Sequence, residues 1–360
     1  MIHIFVRRSS DVEYLTGDRA DELADARRGA PGWWLRGTGD AHSSDDVAAV
    51  LQTTARATVV GYDVVVAAPR PLSILIALDA QAASGVVAAH RAGVLAAIDY
   101  LEDRALVVRQ RVEGGEYLRR ANWSRVVGFT HGINRSGEPH LHDHVLVGAR
   151  PDHESTVADS RSLFAHLPAA DALYRATLRF GVNQHTARTA WRSFAGVEGV
   201  SDLDEGYRAI WGGHADERGE KPSWTREEVV ARWSRDQRRF EPYGVIREPP
   251  RRFFDPHQFA ATFEGATRIA RRDLVRAFAD ASTFGAEASV VGATIDELHP
   301  HLRTARGLDE RPVSLTEARR LTPEVARDRS YERSSGIDDG RYLERVGVSL
   351  LRESRNRSDR

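Results

Sequence analysis

Residues 130–150, THGINRSGEPHLHDHVLVGAR, hold four of the chain's fourteen histidines. Three of them, His140, His142 and His144, occupy alternate positions of a segment with the composition of a β-strand. The stretch before it, NWSRVVGFTHGI (122–133), is also rich in β-branched and aromatic residues. NRSGEP lies between the two, and Ser, Gly and Pro flanked by apolar alternation predict a hairpin. Side chains along a strand alternate faces, so His140, His142 and His144 share one face and Leu141, Asp143 and Val145 the other. If the turn centres on Ser136-Gly137, His131 stands directly across from His142, with Cβ atoms ~4.5–5.5 Å apart. His131, His142 and His144 then converge on a point at metal-ligand distance, ~2.0–2.1 Å for Zn–N. His140 lies a residue pair further from His131 and is read as a bystander.

Three neutral imidazoles suit a borderline divalent ion such as Zn, Mn, Fe, Co, Ni or Cu. Three protein ligands leave coordination positions open, as catalytic sites do. The chain has no cysteine, which excludes disulfides and any Cys-rich structural zinc site. A strand histidine is otherwise an ordinary hydrogen-bonded residue. The H-x-H pair with a cross-strand third histidine is what favours a metal here.

Composition bounds the rest. At 360 residues the chain holds one large domain or two ordinary ones, and a hydrophobic fraction of 41% suffices for a core. No run of about eighteen apolar residues is present, so no membrane insertion is expected. MIHIFVRRSS is too short and wrongly flanked for a signal peptide. The net charge of −1 lacks the basic excess usual in nucleic-acid proteins, although a local basic groove remains compatible with it. Lysine occurs only at Lys221, so arginine carries the remaining cationic work, and its fork binds phosphates and stacks on bases.

Along the chain, MIHIFV reads as a first strand. Ser10 with Glu13 forms a capping box, predicting a helix over about 11–27. A polar helix follows near 44–56, then a strand over 57–69. Pro71 opens a helix at its first turn, and a longer helix covers about 83–105. LVVRQRVEGGEYLRRANW reads as strand, Gly-Gly loop and strand, and the histidine hairpin closes the region. This order predicts an α+β layered sheet with helices on one side and a site on the other. Beyond 150, a helix is read over SRSLFAHLPAADALYRATLRFGVNQHTAR, a polar loop at 212–224, and an amphipathic helix begun by Thr225. A proline-interrupted stretch follows, then a further helical segment from His257 to about 302. The last thirty residues are read as a charged tail. There is no P-loop motif.

FTHGINRSGEPHLHDHVLVGAR resembles the three-histidine motif of the TrwC-like (MobF-class) conjugative relaxases, a branch of the HUH endonucleases. That pattern is a His, a Ser-Arg-like pair, an acidic-Pro step, and Leu-His-x-His before an apolar strand. GYDVVVAAPRPLSILIAL is similar to the family's Gly-aromatic-Asp strand, turn and helix. LEDRALVVRQ and DSRSLFAHLPAADALYRATLR also have its character. The resemblance spans roughly residues 1 to 300.

The resemblance implies a ferredoxin-like HUH palm with a five-stranded antiparallel sheet and helices, plus C-terminal helical fingers. The implied boundaries are 1–195 for the palm, 196–300 for the helical extension and 301–360 for a charged tail, with no helicase domain. It implies a site- and strand-specific nickase that cuts single-stranded DNA at an origin of transfer or replication through a 5′-phosphotyrosine intermediate. By position Tyr14 matches the nucleophile, and Asp63 the acidic residue that orients a histidine or the nucleophile. His131, His142 and His144 match the holders of a divalent ion, with Mg, Mn, Zn and Ni all admissible. Implied partners are single-stranded DNA with a nearby hairpin, a separate helicase and accessory transfer proteins, in a bacterial cytoplasm.

A phenol of pKa ~10 is about 0.1% ionised at neutral pH, so Tyr14 needs a nearby cation, with Asp63 as an acceptor for its proton. Arg70, at the Ala-Pro-Arg turn, and Arg135, beside the hairpin, are candidate phosphate ligands. Trp33 and Trp34 are candidate stacking residues. Arg238, Arg239, Arg251 and Arg252, with Trp233, Phe240, Phe253 and Phe254, give the basic-aromatic interleaving that single strands favour. The chain departs from the family where a second tyrosine pair is usual: it reads Asp21-Glu22-Leu23 there. Two other classes fit parts of the pattern. One is a cupin-like metalloenzyme acting on a small molecule, and the other a catalytically decayed relaxase-fold DNA-binding module.

Overall fold

Alternating apolar residues at 2–7, 61–67, 126–133 and 139–148 form the strands that carry the molecule's main sheet. In the computed structural model the described residues are 1–8, 33–35, 50, 59–78, 80–112, 115–123, 125–134, 138–151, 156–185, 191–194, 197–200, 228, 231, 233, 235, 254–262 and 270–298. The main-sheet strands are β1 (Ile2–Arg7), β2 (Trp33–Leu35), β3 (Gly61–Ala67), β6 (Val126–Ile133) and β7 (Pro139–Gly148). They lie in the order β1-β3-β7-β6-β2, every neighbouring pair antiparallel. β3, β7 and β6 are the interior strands. Two other strands, β4 (Val107–Val112) and β5 (Gly115–Arg120), pair only with each other. A single bridge, Val108 to Ala158, links this ribbon onward.

One face of the sheet is covered by helices. Tyr62, Val64 and Val66 of β3 and Leu141, Val145 and Val147 of β7 point into a core with α1 (Arg70–Leu78), α2 (Ala80–Ala105) and α3 (Ser160–His185). Pro71 sits in the first turn of α1, where its missing N–H costs nothing. Ser73 on that helix accepts the Leu141 amide at 2.8 Å, which docks α1 onto β7 beside the histidines. α2 and α3 cross closely. A Cβ at Gly93 would lie 2.8 Å from the Tyr174 ring and 2.9 Å from its carbonyl oxygen, so the glycine is what admits Tyr174 between the helices.

The expected helical segment from His257 onward is broken into α4 (Pro256–Ala261), α5 (Arg271–Ala281) and α6 (Ala288–Leu298). Asp273 caps α5 by accepting the Ala270 amide at 2.9 Å. Between α5 and α6, Gly285 takes φ +82°, and a Cβ there would collide with the Ala176 carbonyl and the Phe180 amide of α3. That contact is why the helix stops: the chain must turn against α3. Arg179 donates to the Ala279 carbonyl at 3.0 Å and Asn183 to Phe284 at 3.2 Å. Phe259, Leu274, Phe278, Val291 and Ile295 belong to the same core as α2 and α3. A further hairpin, β8 (Trp191–Phe194) with β9 (Val197–Val200), lies beyond the helix read to Arg188, where no element was expected.

The helix expected over 11–27 lies outside the described residues, as do the polar loop at 212–224 and the tail. Of the helix near 44–56 only Val50 is described, helical and buried. Among the described residues no helix is long and apolar enough to cross a membrane.

Candidate metal centre

The β6–β7 hairpin has the register its turn predicts: His131 stands opposite His142, and Phe129 opposite His144. A shift between His131 and Ile133 absorbs the irregularity next to the turn. β7 alternates as far as Val145, with Leu141, Asp143 and Val145 buried and His140, His142 and His144 half-buried on the other face. His131, His142 and His144 each offer one ring nitrogen, and these nitrogens lie within 4.8 Å of one another. His131 Nδ1 and His142 Nε2 are 3.3 Å apart. Two nitrogens bound to one ion at ~2.0–2.1 Å with tetrahedral angles stand roughly 3.3–3.4 Å apart, so the spacing fits a shared ion.

The other ring nitrogens support that fit. His142 Nδ1 faces the His140 carbonyl at 2.9 Å, and His144 Nδ1 faces both Asp63 carboxylate oxygens at 3.0 Å. A ligating histidine usually donates its second N–H to a carbonyl or a carboxylate, which fixes tautomer and ring angle. Here each partner type occurs once. Burial first, and then the neighbouring His140, His131 and His144, push the His142 imidazole well below its ordinary value. That keeps it in the neutral form a metal needs. Phe129 stacks on His144 with centroids 5.3 Å apart and planes at 15°, which holds that ring from the side.

Asp63 reaches His144 because β3 pairs with β7 so that Val65 opposes His144 and Asp63 sits two residues along the same face. Its side chain is fully buried and is also held by Arg7, whose Nε donates at 3.1 Å and whose terminal nitrogen makes a close ion pair. The buried carboxylate thus has the partner that burial requires. Arg7 was missed in the sequence, since nothing local links residues 7 and 63; only the β1–β3 pairing brings them together.

Behind the sheet, Asp143 anchors a second polar cluster. His90 Nε2 lies 3.2 Å from its carboxylate, and His90 Nδ1 lies 2.8 Å from the Tyr174 hydroxyl. Arg91 approaches the carboxylate at 3.5 Å and donates to the Thr130 hydroxyl at 2.9 Å. Burial alone would raise the Asp143 carboxyl. His90, Arg91 and Thr130 together outweigh it and hold the group at about 2. His90 and Tyr174 were also missed in the sequence.

The remaining candidates separate. Arg70 is exposed, the first residue of α1, three positions after Ala67, which pairs with His142. Trp33 holds the register position opposite Phe129, and its side chain lies outside the described residues. Tyr14, Arg135, Arg238 and Arg251 lie outside them too, as do Arg239, Phe240, Arg252 and Phe253. Trp233 and Phe254 are buried in the core, with Phe254 packed on Phe259 and Phe278, so neither is available to stack a base.

The sequence model of the TrwC relaxase family matches residues 21–211. Among solved structures, the conjugative relaxase TrwC with oriT DNA in a copper-bound form aligns at 17% identity and a TM-score of 0.52, over 67% of this chain and 98% of that one. A metal-bound TrwC–oriT structure gives 17% and 0.52 over 66% and 98%. TrwC with a 27-mer DNA comprising the recognition hairpin and the cleavage site gives 16% and 0.50 over 67% and 98%. At such identities the likeness is one of fold. No curated protein matches. With the family match covering more than half of its length, the chain belongs to the TrwC relaxase family.

Proposed function

We propose that this protein is a strand-specific DNA nickase and transesterase, acting on a single strand at an origin of transfer or replication. The observation that carries the reading is the convergence of three histidine nitrogens, with the second nitrogens of His142 and His144 held by a backbone carbonyl and by Asp63. An ion held by His131, His142 and His144 would polarise a scissile phosphoryl oxygen, a contribution of several kcal/mol to the transition state. Asp63 acts by orienting His144, its charge shared with Arg7. Tyr14 is the nucleophile: its phenolic oxygen bonds to phosphorus, the bond to the 3′ oxygen breaks, and that oxygen takes a proton to leave a free 3′-OH. The phenol's own proton passes to a base at the site or to solvent.

Arg70 and Arg135 would hold phosphates near the hairpin, Arg238 and Arg251 further along the strand, and Trp33 would stack a base. Residues 1–195 form the palm in this reading, 196–300 the helical extension and 301–360 the tail. The described helices of the extension back the palm from behind α3. DNA with a nearby hairpin, a separate helicase and accessory transfer proteins in a bacterial cytoplasm complete the setting. This support comes from family membership and from TrwC structures that hold oriT DNA.

The test is a pool of single-stranded oligonucleotides incubated with the full chain and a divalent ion, followed by mass spectrometry of any covalent adduct. A 5′-phosphate on Tyr14, absent in Tyr14→Phe, is the expected product. Attachment to another residue removes Tyr14 from its role, and cleavage undiminished in Tyr14→Phe replaces transesterification by hydrolysis.

A further inference from the structure

β1 forms an edge of the main sheet and divides its side chains sharply. Ile2 and Ile4 pack toward the core, while His3 and Phe5 face outward and are exposed, Phe5 by 50%. The outward face is the histidine face. Phe5 stands opposite Asp63, His3 opposite Val65, and Val65 opposite His144. Two strand spacings of ~4.8 Å therefore put His3 roughly 10 Å from His144 across β3. The His3 and Phe5 ring centroids are 6.5 Å apart with planes tilted by 38°. Arg7 lies with its guanidinium carbon 5.8 Å from the Phe5 ring centre and is pinned there by its ion pair with Asp63.

An edge strand ordinarily protects itself with charge, and a lone exposed phenylalanine needs no explanation by itself. Here the exposed ring adjoins a second ring and a fixed cation, on the same surface as the three histidines. Flat rings interleaved with positive charge are what unpaired bases and their phosphates recognise. We propose that His3 and Phe5 form a stacking seat for bases of a single DNA strand whose phosphate lies at the histidine triad, with Arg7 packed against the Phe5 ring. The proposal rests on the reading of the chain as a protein that handles single-stranded DNA. It concerns binding, so it stands or falls separately from the nucleophile.

The experiment uses the full chain and a randomised single strand carrying 5-bromodeoxyuridine, since stacking tolerates any base. After ultraviolet crosslinking, the peptide covering residues 1–7 should carry nucleotide at His3 or Phe5. In fluorescence anisotropy with an unlabelled-base strand of oligo(dT), Phe5→Ala should weaken affinity about tenfold, and Phe5→Trp should retain it. Phe5 is exposed, so neither change should disturb folding. Crosslinks mapping only outside residues 1–7, or an unchanged affinity in Phe5→Ala, overturn the seat. So does a dimer in analytical ultracentrifugation that Phe5→Ala dissolves, because β1 would then be covered by a second copy. A chain that crosslinks at the seat and yet never forms a covalent DNA adduct keeps the seat and loses the nuclease.

Discussion

The two faces of β7 place the same kinds of polar side chain in opposite circumstances. On the rear face Asp143, His90 and Tyr174 are all buried, and each meets another member of the group within 3.2 Å. On the front, His131, His142 and His144 are half-buried, and each turns one nitrogen to a common point. The rear groups are linked to one another, Asp143 to His90 and His90 to Tyr174, which makes them a structural brace. The front set gathers three ring nitrogens where a metal ion could bind. Residue type alone does not separate ligand from brace; the convergence of three ring nitrogens on one point does.

Breaking the brace should give the largest effect. Asp143→Ala leaves His90 Nε2 and the Arg91 guanidinium facing a buried gap, which should cost about 3–5 kcal/mol in urea unfolding. A loss below about 1 kcal/mol would mean that water already serves these groups.

Next in size is an acid sensitivity on the rear side, where a second buried histidine lies among arginines. His166 has Tyr100 as its hydrogen-bond partner at 3.1 Å, with Arg104, Arg271 and Arg272 nearby. Burial first, and then Arg272, Arg104 and Arg271, lower it to about 4. The unfolded chain takes up this proton near pH 6.5 and the folded chain only near 4. The stabilisation is therefore complete above pH 6.5 and drains away as pH falls toward 4, by about 3 kcal/mol in all. His166→Gln should flatten that part of the stability–pH curve, and an unaltered slope would assign the acid loss to other groups.

The front set should respond to ions and the rear set should not. A divalent ion at about a hundred times its Kd should stabilise the wild type by about 2.7 kcal/mol. His142→Ala should show no such gain, and an equal shift in melting temperature in both proteins would move the ion elsewhere.

The front face was the more legible of the two in the sequence, for a physical reason. Period-two alternation and a short turn are local, so the shared face of His142 and His144 and the pairing of His131 with His142 follow from residues within fifteen positions. Asp143 was readable as rear-facing, but its partners are 53 residues away at His90 and, through that ring, at Tyr174 on another helix. Arg7 meets Asp63 only through the β1–β3 pairing. The breaks around α5 were equally hidden, because Gly285 turns the chain to suit α3 rather than its own neighbours. β4 and β5 were readable as strands, but their isolation from the main sheet was not.

Asp63 couples the front set to its support. Asp63→Asn keeps the shape but removes the charge facing His144 Nδ1 and Arg7. Metal affinity by calorimetry should fall about 10–100-fold, the range typical of such supporting carboxylates. An unchanged affinity would reduce Asp63 to a partner of Arg7 alone.

The smallest effect lies at the far end of the brace and tests whether the faces are independent. In the neutral ring, His90 donates Nε2–H to Asp143, which leaves Nδ1 to accept the Tyr174 hydroxyl. Tyr174→Phe removes only that donor and keeps the ring that Gly93 accommodates. The expected cost is about 1 kcal/mol, the net worth of one buried hydrogen bond. Asp143 would still hold His90, so β7 should keep its position and the ion affinity should not change. If affinity falls more than tenfold with this single oxygen, strain passes through Asp143 to the two histidines flanking it. The rear network would then be part of the metal centre rather than a brace behind it.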